Sequence, residues 1–203
     1  MLYEIGADVN YKPYYPYGSL ALFRSDVDNL IGKKELPPDP LDPTSPEWKY
    51  ENVAEAVMQG LELALSWVPI DPLFLGCTYT FLDTEDKRPE RALEDLDFRP
   101  SNIFSVQARY QSSFGLSVNS RYTYTSSQQY EEEGIAPLRI IKTLPDRGVW
   151  DIHLGQKFPF RPLPDKYIEV FLDVNNILDE YYEQDPFRAA PGRMVWAGIR
   201  GEF

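Results

Sequence analysis

Cysteine and histidine are nearly absent from this chain: Cys77 and His153 are the only examples of each. A lone cysteine excludes an internal disulfide and a cysteine-based zinc site. A lone histidine leaves no material for a His-rich metal centre and argues against a His-based triad. Basic residues are also short, 20 Lys and Arg against 32 Asp and Glu, a formal charge of −12. Nucleic acid is therefore not an expected partner, because phosphate neutralisation needs clustered Lys and Arg. No run of about 18 apolar residues occurs, which excludes a transmembrane helix. No Gly-rich phosphate loop is present. The first residues, Met1-Leu2-Tyr3-Glu4-Ile5-Gly6, are already strand-like, with no basic n-region, apolar h-region or small-residue cleavage site before them. That predicts a truncated product or a start inside a longer reading frame.

What is present is period two. Aromatics reach 14%, with 14 Tyr and 11 Phe, a composition that favours strands. Ile5, Ala7, Val9 and Tyr11 alternate with Gly6, Asp8, Asn10 and Lys12. A second strand runs from about Gly18 to Ile31; Leu20 and Leu22 compete there with Ala21, Phe23 and Val27, which predicts a bulge near Arg24. The third covers about Val53 to Trp67, where Leu61, Leu63, Leu65 and Trp67 alternate strictly, against the helical propensity of Val53 to Met58. In the fourth, Leu73, Leu75, Cys77, Tyr79 and Phe81 share a face, so Cys77 reads as a small hydrophobe. Strands follow over about Asn102 to Gln111, Leu116 to Tyr124 and Trp150 to Lys157. The last two lie in Tyr167 to Phe203. There Val195, Ala197, Ile199 and Phe203 oppose Trp196, Gly198, Arg200 and Glu202.

The connections alternate in length. Short turns fall at 13–17, 69–72, 112–115 and 159–165. Long loops rich in Pro and charge fall at 32–50, 84–99, 127–147 and 179–192. Short turns at one rim and long loops at the other are the pattern of an outer-membrane barrel. The mean hydropathy of −0.42 is compatible with it, since only alternate residues need be apolar. The expected fold is thus all-β, an antiparallel up-and-down meander of about nine strands. An odd count and two open edges make it an incomplete arc of a transmembrane β-barrel, because lipid cannot satisfy a bare edge. On this phasing Glu62, Arg109, Arg121, Lys157, Glu169, Asp173, Arg200 and Glu202 face inward. Tyr79, Tyr110, Tyr122, Tyr124, Trp67 and Trp150 face outward as interfacial girdles.

Several motifs, in order along the chain, resemble one family, the TonB-dependent outer-membrane receptors. Asn176-Ile177-Leu178-Asp179-Glu180-Tyr181-Tyr182 looks like that family's penultimate-strand signature. Pro191-Gly192-Arg193, with Gly198 five residues on, looks like the lead into its final strand. Phe203 matches its terminal aromatic. Asn52, Ala56, Gly60 and Glu62 look like its Asn-x3-Ala-x3-Gly-x-Glu strand. Tyr3-Glu4-Ile5-Gly6, Pro100 and Asn102 add weaker matches. The resemblance implies that 1–203 is the C-terminal part of a roughly 22-stranded, plugged barrel in the Gram-negative outer membrane. It implies uptake of a scarce solute such as a siderophore–iron complex or cobalamin. The plug, the first dozen or so strands and the TonB-interacting segment have no counterpart here, so TonB would be reached only through the absent plug. Expected partners are outer-membrane lipid and lipopolysaccharide, the missing strands and plug, and the solute.

The residues name no catalytic, cofactor-binding or metal site, and no cofactor or enzyme activity is expected. Asp151 and His153 share a strand face without a Ser or Cys to complete a triad. Glu131-Glu132-Glu133 could hold a divalent cation, or meet lipopolysaccharide through one; the simpler expectation is a solvated loop. A stand-alone small outer-membrane barrel or adhesin, binding through its long loops, is the other function class consistent with the pattern.

Overall fold

The computed structural model describes residues 1–9, 16–35, 48–87, 92–133, 139–160, 163–186 and 188–202. Nine strands form one antiparallel sheet: β1 (Leu2–Val9), β2 (Tyr17–Glu35), β3 (Trp48–Ile70), β4 (Leu73–Asp86), β5 (Asn102–Gln111), β6 (Leu116–Thr125), β9 (Arg147–Phe160), β10 (Leu163–Asn175) and β13 (Met194–Glu202). They pair in chain order, β1 at one edge and β13 at the other, so the sheet is an open meander. Two small ladders stand in the long connections: β7 (Gln128–Glu133) with β8 (Arg139–Leu144), and β11 (Glu183–Asp185) with β12 (Arg188–Ala189). The nine-strand meander is thus as expected, while the loops 127–147 and 179–192 carry pairing that alternation did not reveal. β2 and β3 also run further than expected, with Glu35 opposite Trp48. The prolines of that loop, Pro37 to Pro46, lie outside the described residues, as do 10–15 and Phe203.

Cross-strand register sorts the side chains into rows that share a face. One row reads Leu65, Cys77, Val106, Tyr122, Trp150. The next reads Leu63, Tyr79, Phe104, Tyr124, and another Leu73, Tyr110, Val118, Leu154, Leu172, Ala197. These rows make one continuous apolar face, and the six aromatic residues expected there all lie on it. Many of its side chains stand open, Val106 at 38% and Ile199 at 73% exposed. A face so apolar and so uncovered needs a non-aqueous surround. Toward the long loops it turns polar. Arg24 Nη1 donates to Gln59 Oε1 at 3.0 Å, and Gln59 Nε2 donates to Asp83 Oδ2 at 2.8 Å.

The expected bulge near Arg24 is displaced. Tyr17 to Val27 pairs with Ser66 to Ala56 without a break, and the register shifts between Val27 and Leu30. Leu20 and Leu22 lie on the apolar face and Ala21 and Phe23 on the other. Phe23 is accommodated there because its ring lies over Gly60, where a Cβ would meet Cζ at 2.9 Å. The expected helical competitor in β3 does not form; 48–70 is strand throughout. At the short turn 112–115, Gly115 adopts φ +93°, which favours glycine.

Candidate functional site

The opposite face of the sheet is polar and charged. Its rows read Gln107, Arg121, Asp151, then Phe74, Arg109, Asn119, His153, Asp173, Trp196, then Lys157, Glu169, Arg200. Seven of the eight charged residues expected to face inward lie on this face; the side chain of Glu202 is outside what is described. A polar face opposite an apolar one is what the lumen wall of a membrane barrel presents.

Two charge pairs on it are internally matched. Glu169 is 1% exposed, and Arg200 Nε donates to its Oε2 at 2.8 Å. Room for that carboxylate exists because residue 155 is glycine: a Cβ there would lie 2.5 Å from Glu169 Oε1 and 2.6 Å from Ser117 Oγ. Gly198 serves likewise under Phe171, whose Cζ would be 2.7 Å from an added Cβ, and Arg200 lies 5.4 Å over the same ring. Glycine covered by a cross-strand aromatic is a known way of keeping a strand paired where a side chain cannot fit. His153 Nδ1 and Asp173 Oδ1 share a hydrogen bond of 2.6 Å. His153 is thus a hydrogen-bonding residue of the polar face.

At the long-loop rim the Asn176 motif is a clasp. Asn176 is 4% exposed with φ +53°. Its Nδ2 donates to the Glu180 carbonyl and its Oδ1 accepts the Glu180 N–H, both at 2.9 Å. Its own N–H donates to Asp151 Oδ1 at 2.9 Å, tying the loop to β9. Asp179 Oδ1 accepts the Arg193 N–H at 2.7 Å, which fixes where β13 begins. Asp151 is therefore structural, as is Asn176.

Two residues of the acidic run, Glu131 and Glu132, are engaged in bonds that a solvated loop would not make. Glu131 Oε2 accepts the N–H groups of Ala92 and Leu93 at 2.9 and 3.2 Å, and Glu132 is ion-paired with Lys142. The side chain of Glu133 lies outside the described residues. Glu131 N–H donates to Asp97 Oδ1 at 2.9 Å, and Phe98 stacks on Tyr130 at 4.8 Å. Leu93, Tyr130 and Leu144 are buried between these loops. Residues 92–101 and the β7–β8 hairpin therefore form one body with its own small core. Glu132 holds the Lys142 ammonium above its usual range through their hydrogen bond. Among the described residues no group of three or more metal-ligating side chains converges.

No curated protein matches the chain by sequence. Solved structures do match it in shape. The ferric-catecholate import receptor Fiu from E. coli K12 aligns at 17% identity and TM-score 0.71, over 99% of this chain and 27% of its own. The pyoverdine outer-membrane receptor FpvA from Pseudomonas aeruginosa PAO1 aligns at 18% identity and TM-score 0.74, over 100% and 29%. The outer-membrane transporter YddB from E. coli aligns at 11% identity and TM-score 0.73, over 98% and 32%. The chain therefore spans under a third of each of these proteins. The family model for the TonB-dependent receptor-like β-barrel matches residues 3–177. With an apolar outer wall, a charged inner wall and that match over most of its length, the chain belongs to the TonB-dependent receptor β-barrel family of the Gram-negative outer membrane.

Proposed function

We propose that residues 1–203 form the C-terminal part of a receptor barrel for TonB-dependent uptake of a scarce solute. A siderophore–iron complex is the favoured solute class, supported by the ferric-catecholate and pyoverdine receptors among the structural neighbours; cobalamin is the second. The observation that carries the reading is the two-faced sheet: exposed apolar rows on one side, a ladder of charge on the other, and a bare edge at each end. Such edges are satisfied in lipid only by further strands, so closure needs barrel segments beyond these nine. Coupling to TonB would run through a plug that fills the closed lumen. The long connections face outside and the short turns face the periplasm. Outer-membrane lipid and lipopolysaccharide meet the apolar rows and their polar upper border. No enzymatic step is part of this reading.

Sidedness tests it. In a Cys77→Ser background, Tyr181→Cys, 74% exposed on a long loop, should react with an impermeant maleimide on intact cells. Phe114→Cys, 66% exposed at a short turn, should react only after disruption of the outer membrane. The reverse pattern, or equal labelling, would refute the orientation. Binding of a ferric siderophore by purified protein, followed by fluorescence quenching, tests the solute class.

A further inference from the structure

One part of the apolar wall is not filled flush. Across β2 to β5 one row reads Gly18, Leu65, Cys77, Val106, and the neighbouring row on the same face reads Trp67, Leu75, Ala108, Ser120. Bulky and small side chains are mixed there: Leu65, Trp67 and Leu75 stand beside Gly18, Cys77 and Ala108. Leu65 leans across Gly18, where an added Cβ would meet its Cδ2 at 3.1 Å. The result is a hollow of about 650 Å³ lined by Pro16, Leu65, Trp67, Leu75, Gly76 and Cys77, with Ser66 the one hydroxyl-bearing residue among them. Elsewhere on the face aromatic rings close such gaps, as in the row Leu63, Tyr79, Phe104, Tyr124.

The lining decides what the hollow can take. It holds no charged side chain, and alternation turns the Ser66 hydroxyl toward the opposite face. A polar ligand would lose its hydrogen bonds to water there and gain none. The volume is that of a site for a small apolar molecule or chain. The hollow is also continuous with the lipid-facing rows, and Leu65 and Trp67 beside it are 46% and 47% exposed. Its height selects the leaflet. Trp67 lies three residues from Ile70 and Leu75 two from Leu73, the pair that closes the 71–72 turn. At about 3.3 Å per residue the hollow therefore begins within about 10 Å of the short-turn rim. Phospholipid tails fill that depth on the periplasmic side of an outer membrane; lipopolysaccharide occupies the other leaflet.

We propose that this hollow seats one acyl chain of a periplasmic-leaflet phospholipid, more persistently than the flush parts of the wall hold theirs. The seat rests on the reading of this face as the outer wall. Lipid tails are as apolar as leucine, so transfer from water contributes nothing to the preference. What favours a seated chain is contact. Walls around an empty hollow forfeit their dispersion partners. A chain lying between Leu65, Trp67 and Leu75 restores them on several sides at once, which a chain on a flush surface cannot do.

The test uses the complete barrel that contains these residues, in nanodiscs of phosphatidylethanolamine and phosphatidylglycerol doped with a phospholipid bearing a diazirine in one acyl chain. After irradiation, mass mapping should find adducts on 65–67 and 75–77 about fivefold or more above those on Leu154 and Leu172, which are 38% and 36% exposed on the same face. Cys77→Phe and Gly18→Leu each fill the hollow and should bring the two regions level, with adducts on Leu154 unchanged. Heat-modifiable gel mobility establishes that each barrel is folded. Even labelling of the folded parent, or labelling of 65–67 undiminished in the folded variants, overturns the seat and leaves the outer wall standing. So does native mass spectrometry of the extracted barrel in which lipopolysaccharide or a second copy, rather than phospholipid, is lost on Cys77→Phe. Absence of adducts from Leu154 and Leu172 as well as from the hollow overturns the reading of this face as lipid-facing.

Discussion

Asn176 and Glu180 hold one another by two hydrogen bonds, each 2.9 Å, between the side-chain amide of one and the backbone C=O and N–H of the other. Both bonds are made by a residue that is 4% exposed and has φ +53°. Asn176→Ala loses both and retains the left-handed backbone, so it should destabilise the chain by about 2–4 kcal/mol. Asn176→Gly loses the same bonds but relieves the backbone, and should cost about 1 kcal/mol less. Urea midpoints of the complete barrel that contains these residues, refolded in vesicles, separate the two; equal costs would show that the backbone conformation carries no penalty here.

Gly155 and Glu169 form a second dependent pair. Gly155→Ala places a methyl 2.5 Å from Glu169 Oε1, so the carboxylate must move and its 2.8 Å bond from Arg200 must lengthen. The expected cost is about 1–3 kcal/mol. In Glu169→Ala the carboxylate clash is gone and only the Ser117 hydroxyl, 2.6 Å from the methyl, must still turn aside, so the double variant should be more stable than the sum of singles by at least about 0.5 kcal/mol. Strict additivity in a double-mutant cycle would remove the carboxylate as the reason for the glycine.

Strand order and facing were legible in the sequence because one face must be apolar and the other need not be. Leu61, Leu63 and Leu65 announce their face without knowledge of any partner, and the rows confirm it. The Asn176 motif was legible only as a resemblance; the reason for each residue type came from the clasp. The β7–β8 hairpin was not legible at all. Gln128 to Glu133 has no alternation, and what orders it is non-local: Glu131 on the amides of Ala92 and Leu93, and Phe98 on Tyr130. The bulge was inferred from competing leucines, yet it sits at Val27 to Leu30, among Asp28 and Asn29, where composition offers no periodic signal.

Glu131→Ala removes the acceptor of two loop N–H groups. Hydrogen bonds to a charged acceptor contribute about 1.5–3 kcal/mol, so amide exchange at Ala92 and Leu93 should quicken about tenfold or more. Amides of β5 should be unaffected, since their partners lie within the sheet. Uniform loss of protection across the chain would mean that the loop body and the sheet unfold as one unit.

The same loop should respond to pH. Burial raises the Asp95 carboxyl above its usual range, and the nearby charges of Asp83 and Glu94 raise it further. A carboxyl with a raised folded-state pKa is most compatible with the fold when protonated. The contribution is complete below the unfolded value of 3.8 and is lost as pH rises through the folded value. Residues 94–96 should therefore be better protected near pH 4 than at pH 7, after correction for intrinsic exchange rates. Asp83→Asn should reduce that difference. A loop that loosens on acidification, or is indifferent to Asp83→Asn, would contradict this account.

Val106 and Ser105 are adjacent in sequence and opposite in environment. Val106 lies between Cys77 and Tyr122 in the apolar rows, while Ser105 Oγ meets Thr123 Oγ1 at 3.3 Å on the lumen side. An arginine on the lipid face near the bilayer midplane costs about 2–4 kcal/mol, whereas a lumen arginine remains in water. Val106→Arg should therefore lower the urea midpoint of the complete barrel strongly in vesicles and Ser105→Arg only slightly. The contrast should shrink in short-chain micelles, where detergent headgroups can reach the introduced charge. Equal tolerance of both substitutions in vesicles would remove the distinction between outer and inner walls.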